Sequence, residues 1–209
     1  MGELKTREPV EWASILMACG VKAPTAVKWA PAFSDQLRGR AMSAGEDELD
    51  DFLGQMLHEC SFLERVEEGL YYSTPGRLMA VWPTRFPTLE SEQPYRCMPQ
   101  KLANFVYGGR LGNVAPDDGW TYRGRGCIMV TGRANYAALS KTIGVDLVES
   151  PSMLSQPAAA LRASIAWWEK NLPDSVMGDL VAVTKRVNGG TVGLVERRRI
   201  TAAATLALA

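Results

Sequence analysis

Between residues 49 and 63 the apolar side chains Leu49, Phe52, Leu53, Met56, Leu57, Cys60 and Leu63 recur at i, i+3, i+4 and i+7. That is the spacing of one buried helix face. Ser43 followed by Glu46 has the form of a capping box, and the acidic run behind it suits the positive end of a helix dipole. The pattern predicts a helix that begins near Ser43 and buries one stripe. His58 and Glu59 fall near its end, with Glu59 at the margin of the apolar face, and Glu68 follows nine residues later.

Upstream, Val10, Trp12, Ile15, Leu16 and Cys19 sit at roughly helical spacing, with Gly20 as a stop. A second helix is expected in APTAVKWAPAFSDQL, where Pro31 must kink or divide it. From Tyr71 the pattern shifts to prolines, aromatics and arginines, with short helices around 76–81 and 99–107. GNVAPDDGWTYRGRGCIMVTG predicts a glycine-rich turn and a short β element from Tyr122 to Thr131. Beyond it RANYAALSKTIG reads as helix and DLVESPSMLSQP as loop. PAAALRASIAWWEKNL is an apolar helix ending before Pro173, GDLVAVTKRVNGG is another stopped by its glycines, and a last helix spans about Val192 to Leu208. Seven or eight helices with one small β element make the chain mainly α. No repeat, low-complexity tract or linker interrupts residues 1–209, so one domain is expected, with 1–42 as its N-terminal helical part.

Composition removes several classes of function. A chain of 209 residues can bury one good core. Its 23 basic and 23 acidic residues leave no basic excess for a nucleic-acid partner. No apolar run approaches the roughly 18 residues of a membrane span, so no stable membrane insertion is expected. MGELKTREPVEW lacks the apolar core of a signal peptide. Cys19, Cys60, Cys97 and Cys127 form no CxxC pair and read as free thiols in a reducing compartment. With one histidine, no HExxH and no GxSxG elbow, neither a metal or other cofactor nor a Ser-His-Asp arrangement is expected. His58 alone reads as a structural residue near a helix end.

Paired carboxylates remain. One protonated and one ionised carboxyl are what glycoside hydrolysis needs. The plain alternatives stay open: a surface glutamate for Glu59, and a solvated acidic face for Glu64, Glu67 and Glu68. Geometry adds a condition. Nine residues of straight helix span about 13.5 Å and about 2.5 turns, too far and on the wrong face for carboxyls that should lie ~6.5–9.5 Å apart in an inverting enzyme. If both act, the helix must end between them, near Arg65 to Gly69, and the chain must fold back.

Three stretches then resemble one known family. HECSFLERVEEGLYYS is similar to the HES…E…NYS segment of glycoside hydrolase family 19, in its phage endolysin branch. NFVYGGRLGN and DGWTYRGRGCIMVTGRANY look like the family's VYGGRMGN and W-x-YRGRG-x-IQ-x-TG-x-x-NY, and VTKRVNGG looks like its closing helix with INGG. The match runs in order from about residue 45 to 200. It implies a lysozyme-like, bilobed helical domain with a central substrate cleft, and hydrolysis of β-1,4 bonds with inversion. On the matching positions, Glu59 corresponds to the general acid and Glu68 to the general base, and Thr131 to the hydroxyl that helps hold the attacking water. Asn135 and Asn188 match residues that bind N-acetyl sugars, and Arg197 matches an arginine near the catalytic carboxylates. Tyr122 and Arg125 are expected in the cleft wall, with His58 beside the acid. Glu59 would need a raised pKa to stay protonated, which the margin of an apolar face could supply, and Glu68 would stay ionised near Arg197 or solvent. The chain also departs from the pattern. Met129 stands where the family has a sugar-binding Gln, Cys60 replaces the serine after the HE pair, and no acid follows NGG.

The resemblance implies an endolysin, a lysozyme-like enzyme cleaving between N-acetylmuramic acid and N-acetylglucosamine. Its partner would be the peptidoglycan strand, with no separate cell-wall-binding module. It would be a monomer made in the cytoplasm of an infected bacterium and would depend on a holin for release. Rival readings are a chitinase, a lytic transglycosylase and a non-catalytic glycan-binding protein. VERRRITAAATLALA could touch a membrane or simply pack as a terminal helix.

Overall fold

In chain order the helices are α1 (Pro9–Ala18), α2 (Ala23–Gln36), α3 (Leu49–Glu59), α4 (Arg77–Val81), α5 (Leu89–Glu92), α6 (Pro99–Tyr107), α7 (Asp118–Thr121), α8 (Arg133–Ile143), α9 (Pro157–Asn171), α10 (Leu180–Asn188) and α11 (Leu194–Leu208). The computed structural model describes residues 3–39 and 41–209. Proline in the first two positions opens α1, α2, α6 and α9, where its missing N–H would have been unpaired and its φ is already helical. The chain forms two compact units. The first comprises Met1–Val66, Gly126–Ile128 and Met153–Ala209, and the second Glu67–Arg125 and Met129–Ser152.

The first unit is organised on α3. Its stripe Leu49, Phe52, Leu53, Met56 and Leu57 is buried, and Cys60 and Leu63 continue it past the helix end. Full burial of each large apolar side chain contributes about 1.5–3 kcal/mol. α3 packs on α11 and touches α10, α1 lies on α2 and α11, and α2 lies on α9. Phe52 meets Trp168 of α9 edge-on at 5.3 Å, and Trp12 meets Phe33 at 5.2 Å. The approach of α3 to α11 depends on Gly54. A Cβ there would collide with the hydroxyl of Thr201 and lie 3.3 Å from the Arg197 carbonyl oxygen. α11 therefore packs one face into the unit, burying Arg197, Ile200 and Ala204, while Val195 and Leu206 stay exposed. No helix among the described residues is long and apolar enough to cross a membrane.

The second unit has a smaller core of Leu70, Leu78, Phe86, Leu102, Ala103 and Val106. Buried Glu92 accepts hydrogen bonds from the backbone N–H groups of Gly76, Leu78 and Met79 at the start of α4. A carboxylate there satisfies donors that a helix start leaves open.

Several expectations need correction. Ser43 and Glu46 do not form a capping box. Ser43 bonds to Glu169 and Asp174, and Glu46 is taken by Arg7 and the Lys5 N–H. Long-range charged partners outcompete the local pair, and a 3-10 turn, Gly45–Glu48, precedes α3. Val10 is exposed rather than part of the α1 stripe. Pro31 does not divide α2, which runs through it; Pro31 and Val27 are exposed, so the carbonyl deprived of its donor faces water. The expected β element is reduced to isolated bridges, Arg125 with Val130 and Glu67 with Arg125. Among the described residues the helices outnumber the expected seven or eight; the four-residue turns α5 and α7 carry no period legible in sequence. The helix of Glu59 ends at Glu59 itself, six residues before Arg65. Ser61, Phe62 and Leu63 take left-handed φ values of 51°, 58° and 66°, and the Phe62 N–H returns to the Leu57 carbonyl at 2.7 Å.

The α3–α11 contact yields a test. Gly54→Ala should lower stability by about 1–3 kcal/mol through overpacking. Thr201→Ala alone, which removes a buried hydroxyl without a partner, should be close to neutral and should relieve part of the Gly54→Ala loss. Thermal unfolding of the two single variants and the double variant checks this; additive effects would contradict the contact.

Candidate functional site

Glu59 is the last residue of α3, half-buried, and its Oε1 accepts a hydrogen bond from Nη2 of Arg197 at 2.5 Å. Arg197 is 1% exposed. A guanidinium that deep is tolerable only when its donors are paired, and here they are. Nη1 donates to Oε1 of Gln55 (2.6 Å) and Nε to the carbonyl of Val192 (3.2 Å). Gln55, one turn before Glu59 on α3, donates in turn to Oγ1 of Thr184 on α10 at 3.0 Å. A buried polar chain thus runs Thr184, Gln55, Arg197, Glu59. The sequence shows why: Gln55 interrupts an apolar helix face, and Arg197 lies in ERRR on a helix otherwise rich in alanine and leucine.

The loop before α11 completes this group. The Asn188 amide donates to the Val192 carbonyl (3.0 Å), the same oxygen that Arg197 uses, and its Oδ1 accepts from the Gly190 N–H (2.8 Å). Gly193, at φ +74°, lies against the imidazole of His58, where any Cβ would collide with the ring. Burial and then the positive charge of Arg197 hold His58 below the ordinary histidine range. The first unit therefore gathers His58, Glu59, Asn188 and Arg197. Arg197 serves Glu59 here, through a direct bond.

Glu68 belongs to the second unit. Its backbone N–H donates to the Gly124 carbonyl at 2.8 Å, and the Gly124 N–H donates to its Oε2 at 3.2 Å. The Tyr107 hydroxyl, at the end of α6, donates to Oε1 at 2.5 Å. Burial first, and this bond to Glu68 second, push the Tyr107 hydroxyl far above the ordinary tyrosine range. It stays a donor. Thr131 flanks the same glycine: a Cβ on Gly124 would lie 3.2 Å from the Glu68 Oε2 and 3.3 Å from the Thr131 Oγ1. The Thr131 hydroxyl donates to the carbonyl of Met129 (3.1 Å), whose φ is +50°, and the exposed Asn135 donates to the Thr131 carbonyl (2.7 Å). Glu68, Thr131, Asn135 and Met129 are thus one local group.

Tyr122 and Arg125 do not line an open wall. Both are 5% exposed. The Tyr122 hydroxyl donates to Val148 O (3.2 Å). Arg125 donates to Glu67 (2.6 Å), to Thr121 O (2.6 Å) and to the Tyr136 hydroxyl (3.2 Å). These residues hold the turn that carries Gly124. Their charge and hydroxyl are consumed inside, which a motif match does not reveal. Gln55, Thr184 and Tyr107 are the polar partners that sequence reading missed; Tyr107 sits in the quoted VYGGR block and carried a signal, whereas Gln55 and Thr184 had none beyond a polar residue in an apolar stretch. No group of three or more His, Cys, Asp or Glu among the described residues is placed to hold a metal ion.

Comparisons with known proteins give a consistent picture. A Haemophilus influenzae protein described as glycosyl hydrolase family 19 domain-containing is 35% identical over 151 residues, 71% of this chain and 74% of that one. An endochitinase of Arabidopsis thaliana is 30% identical over 95 residues, 45% of this chain but 34% of its own length. The crystal structure of a chitinase C mutant superposes with a TM-score of 0.56 at 16% identity, over 97% of this chain and 76% of that one, and shares the fold. No family model matches the chain.

The chain's one histidine makes the first group testable by NMR. His58 should titrate below about 6.5, and Arg197→Met should move its midpoint upward. Because the folded state resists the proton, the stability linked to His58 is fully present above about 6.5 and is lost as pH falls through the lower folded value. A midpoint at or above that of a free histidine would contradict the arrangement.

Proposed function

We propose that this chain, which belongs to glycosyl hydrolase family 19, is an inverting glycosidase of β-1,4-linked N-acetylated glycan, with peptidoglycan as its substrate and bacterial lysis as its outcome. The observation that carries the reading is that Glu59 and Glu68, nine residues apart, each have a dedicated polar partner, Arg197 and Tyr107. Surface glutamates of a solvated acidic face would not need buried partners. Neighbouring Glu67 is ion-paired with Arg123 and Arg125, as Glu59 is with Arg197, whereas Glu68 is held by neutral donors.

In this reading Glu59 is the general acid. It protonates the glycosidic oxygen as the bond to the anomeric carbon breaks. It must carry its proton at that moment, so the contact from Arg197 is the one that substrate has to loosen. Glu68 is the general base. It takes a proton from a water that attacks the anomeric carbon from the opposite face, giving an inverted hemiacetal. Tyr107 and the Gly124 N–H fix the orientation of the Glu68 carboxylate, and the Thr131 hydroxyl helps hold the water. Asn135 and Asn188 would meet the N-acetyl sugars.

The likeness of HECSFLERVEEGLYYS and VYGGRLGN to the lysin branch supports cleavage between N-acetylmuramic acid and N-acetylglucosamine, by a protein reaching the wall through a holin pore. A chitinase is the second reading, favoured by the description of the Arabidopsis relative as an endochitinase.

Glu59→Gln and Glu68→Gln should each reduce lysis of permeabilised Gram-negative cells by about 10²–10⁴-fold while leaving the fold intact; a folded Glu59→Gln protein with full activity would overturn the assignment. Tyr107→Phe should lower kcat by roughly 10-fold with little change in KM, since it orients the base without binding sugar. Mass spectrometry of digests of peptidoglycan and of chitin oligomers separates the readings. Reducing-end muramic acid products support the proposal, 1,6-anhydro ends indicate a transglycosylase, and cleavage of chitin alone indicates a chitinase.

A further inference from the structure

Asn113 ends the turn that follows α6 and is 1% exposed. Its backbone N–H donates to the Arg110 carbonyl (2.8 Å) and its carbonyl accepts from the Gly109 N–H (3.0 Å), so the main chain of the turn is satisfied within itself. The side chain serves two other elements. Its amide donates to the carbonyl of Tyr107, the last residue of α6, at 3.0 Å. Its Oδ1 accepts from the N–H of Arg133, the first residue of α8, at 2.9 Å. Gly132 precedes α8 and brings no side chain to cap it. Asn113 therefore supplies an acceptor that this helix start lacks, and the Leu111 carbonyl supplies the next, to the Ala134 N–H at 3.0 Å.

The two elements that Asn113 joins carry the groups on either side of Glu68. Tyr107 donates its hydroxyl to Oε1. Thr131, two residues before Arg133, faces Gly124 beside Oε2. We infer that Asn113 is a positioning residue for the general base: by tying the end of α6 to the start of α8 it sets the spacing of Tyr107 and Thr131, and through them the aim of the Glu68 carboxylate. Asn113 itself is buried and touches no reacting atom. The inference rests on the reading of Glu68 as the base.

A second asparagine of α6 gives the comparison. Asn104 accepts from the Trp120 N–H (2.8 Å) and donates to Asp117 (2.8 Å), tying α6 to α7 with the same two kinds of bond. Neither of those partners bonds to Glu68. Loss of Asn104 reports what a bridging asparagine contributes to the second unit, and loss of Asn113 reports that together with the effect on the base.

The test compares Asn113→Ala, Asn104→Ala, Glu68→Gln and Tyr107→Phe in the full chain, on soluble oligomers of peptidoglycan and of chitin. Asn113→Ala should lower kcat about 10–100-fold with KM changed less than about 3-fold, whereas Asn104→Ala should keep kcat within about 3-fold of wild type. In a Tyr107→Phe background Asn113→Ala should cost less than it does alone, because part of its effect passes through that hydroxyl. Amide hydrogen exchange gives a readout that no catalytic assignment touches: the Arg133 N–H should exchange at least about 10-fold faster in Asn113→Ala. Where Asn113→Ala fails to fold, Asn113→Asp is read in the same assays. It keeps the acceptor for Arg133 and loses the amide that donates to Tyr107, so kcat should fall while Arg133 stays protected. With Glu68→Gln inactive, a kcat loss in the folded Asn113 variant no larger than that of Asn104→Ala overturns the inference alone, as does unchanged Arg133 exchange in Asn113→Ala or full additivity with Tyr107→Phe. A fully active Glu68→Gln protein, or a wild type that cleaves neither glycan, overturns the reading of the base, and the inference falls with it.

Discussion

The buried guanidinium of Arg197 constrains the first unit more than any other group. A charge that is 1% exposed must have its donors met, and the acceptors come from separate parts of the chain: Gln55 and Glu59 on α3 and the Val192 carbonyl in the loop before α11. Each acceptor imposes a condition. α3 has to lie close enough for Gln55 and Glu59, one turn apart, to reach the fork, which is why Gly54 faces α11. The loop has to present the Val192 carbonyl to Arg197, with the Asn188 amide on the same oxygen and Gly193 left-handed beside it. Arg197 is therefore both a packing requirement and the group that holds Glu59.

The second unit solves a related problem with neutral chemistry. Glu67 and Glu68 are adjacent, so in an extended stretch they point to opposite sides. Glu67 receives two arginines, whereas Glu68 receives a tyrosine hydroxyl and a backbone N–H. The donors that hold Glu68 carry no charge. Arg125 serves this arrangement from inside, bracing the turn whose Gly124 contacts Glu68.

Between Glu59 and Glu68 the chain accepts backbone strain. Three consecutive non-glycine residues in the left-handed region cost roughly 1–2 kcal/mol each. Burial of Leu63, the packing of Phe62 on the core, and the bonds Phe62 N–H to Leu57 O and Arg65 N–H to Cys60 O offset that cost. The turn ends α3 on the residue that carries the carboxyl, so Glu59 sits at a helix terminus rather than on its side.

The long helices, the buried stripe of α3 and the necessity of a break between the two glutamates were legible in the sequence, because each follows from a period or from the rise of a helix. The ordered motif blocks were enough to identify the family. Cap partners, the place of the break and the burial of Tyr122 and Arg125 were not. Ser43, Glu46, Arg125 and Tyr122 all have plausible local roles, yet each is claimed by a distant residue, and local spacing carries no information about such competition. The Arg197, Gln55 and Thr184 chain spans 142 residues between Gln55 and Arg197. Only the packed fold brings those donors and acceptors within 3 Å of one another, and a buried charge leaves it little other choice.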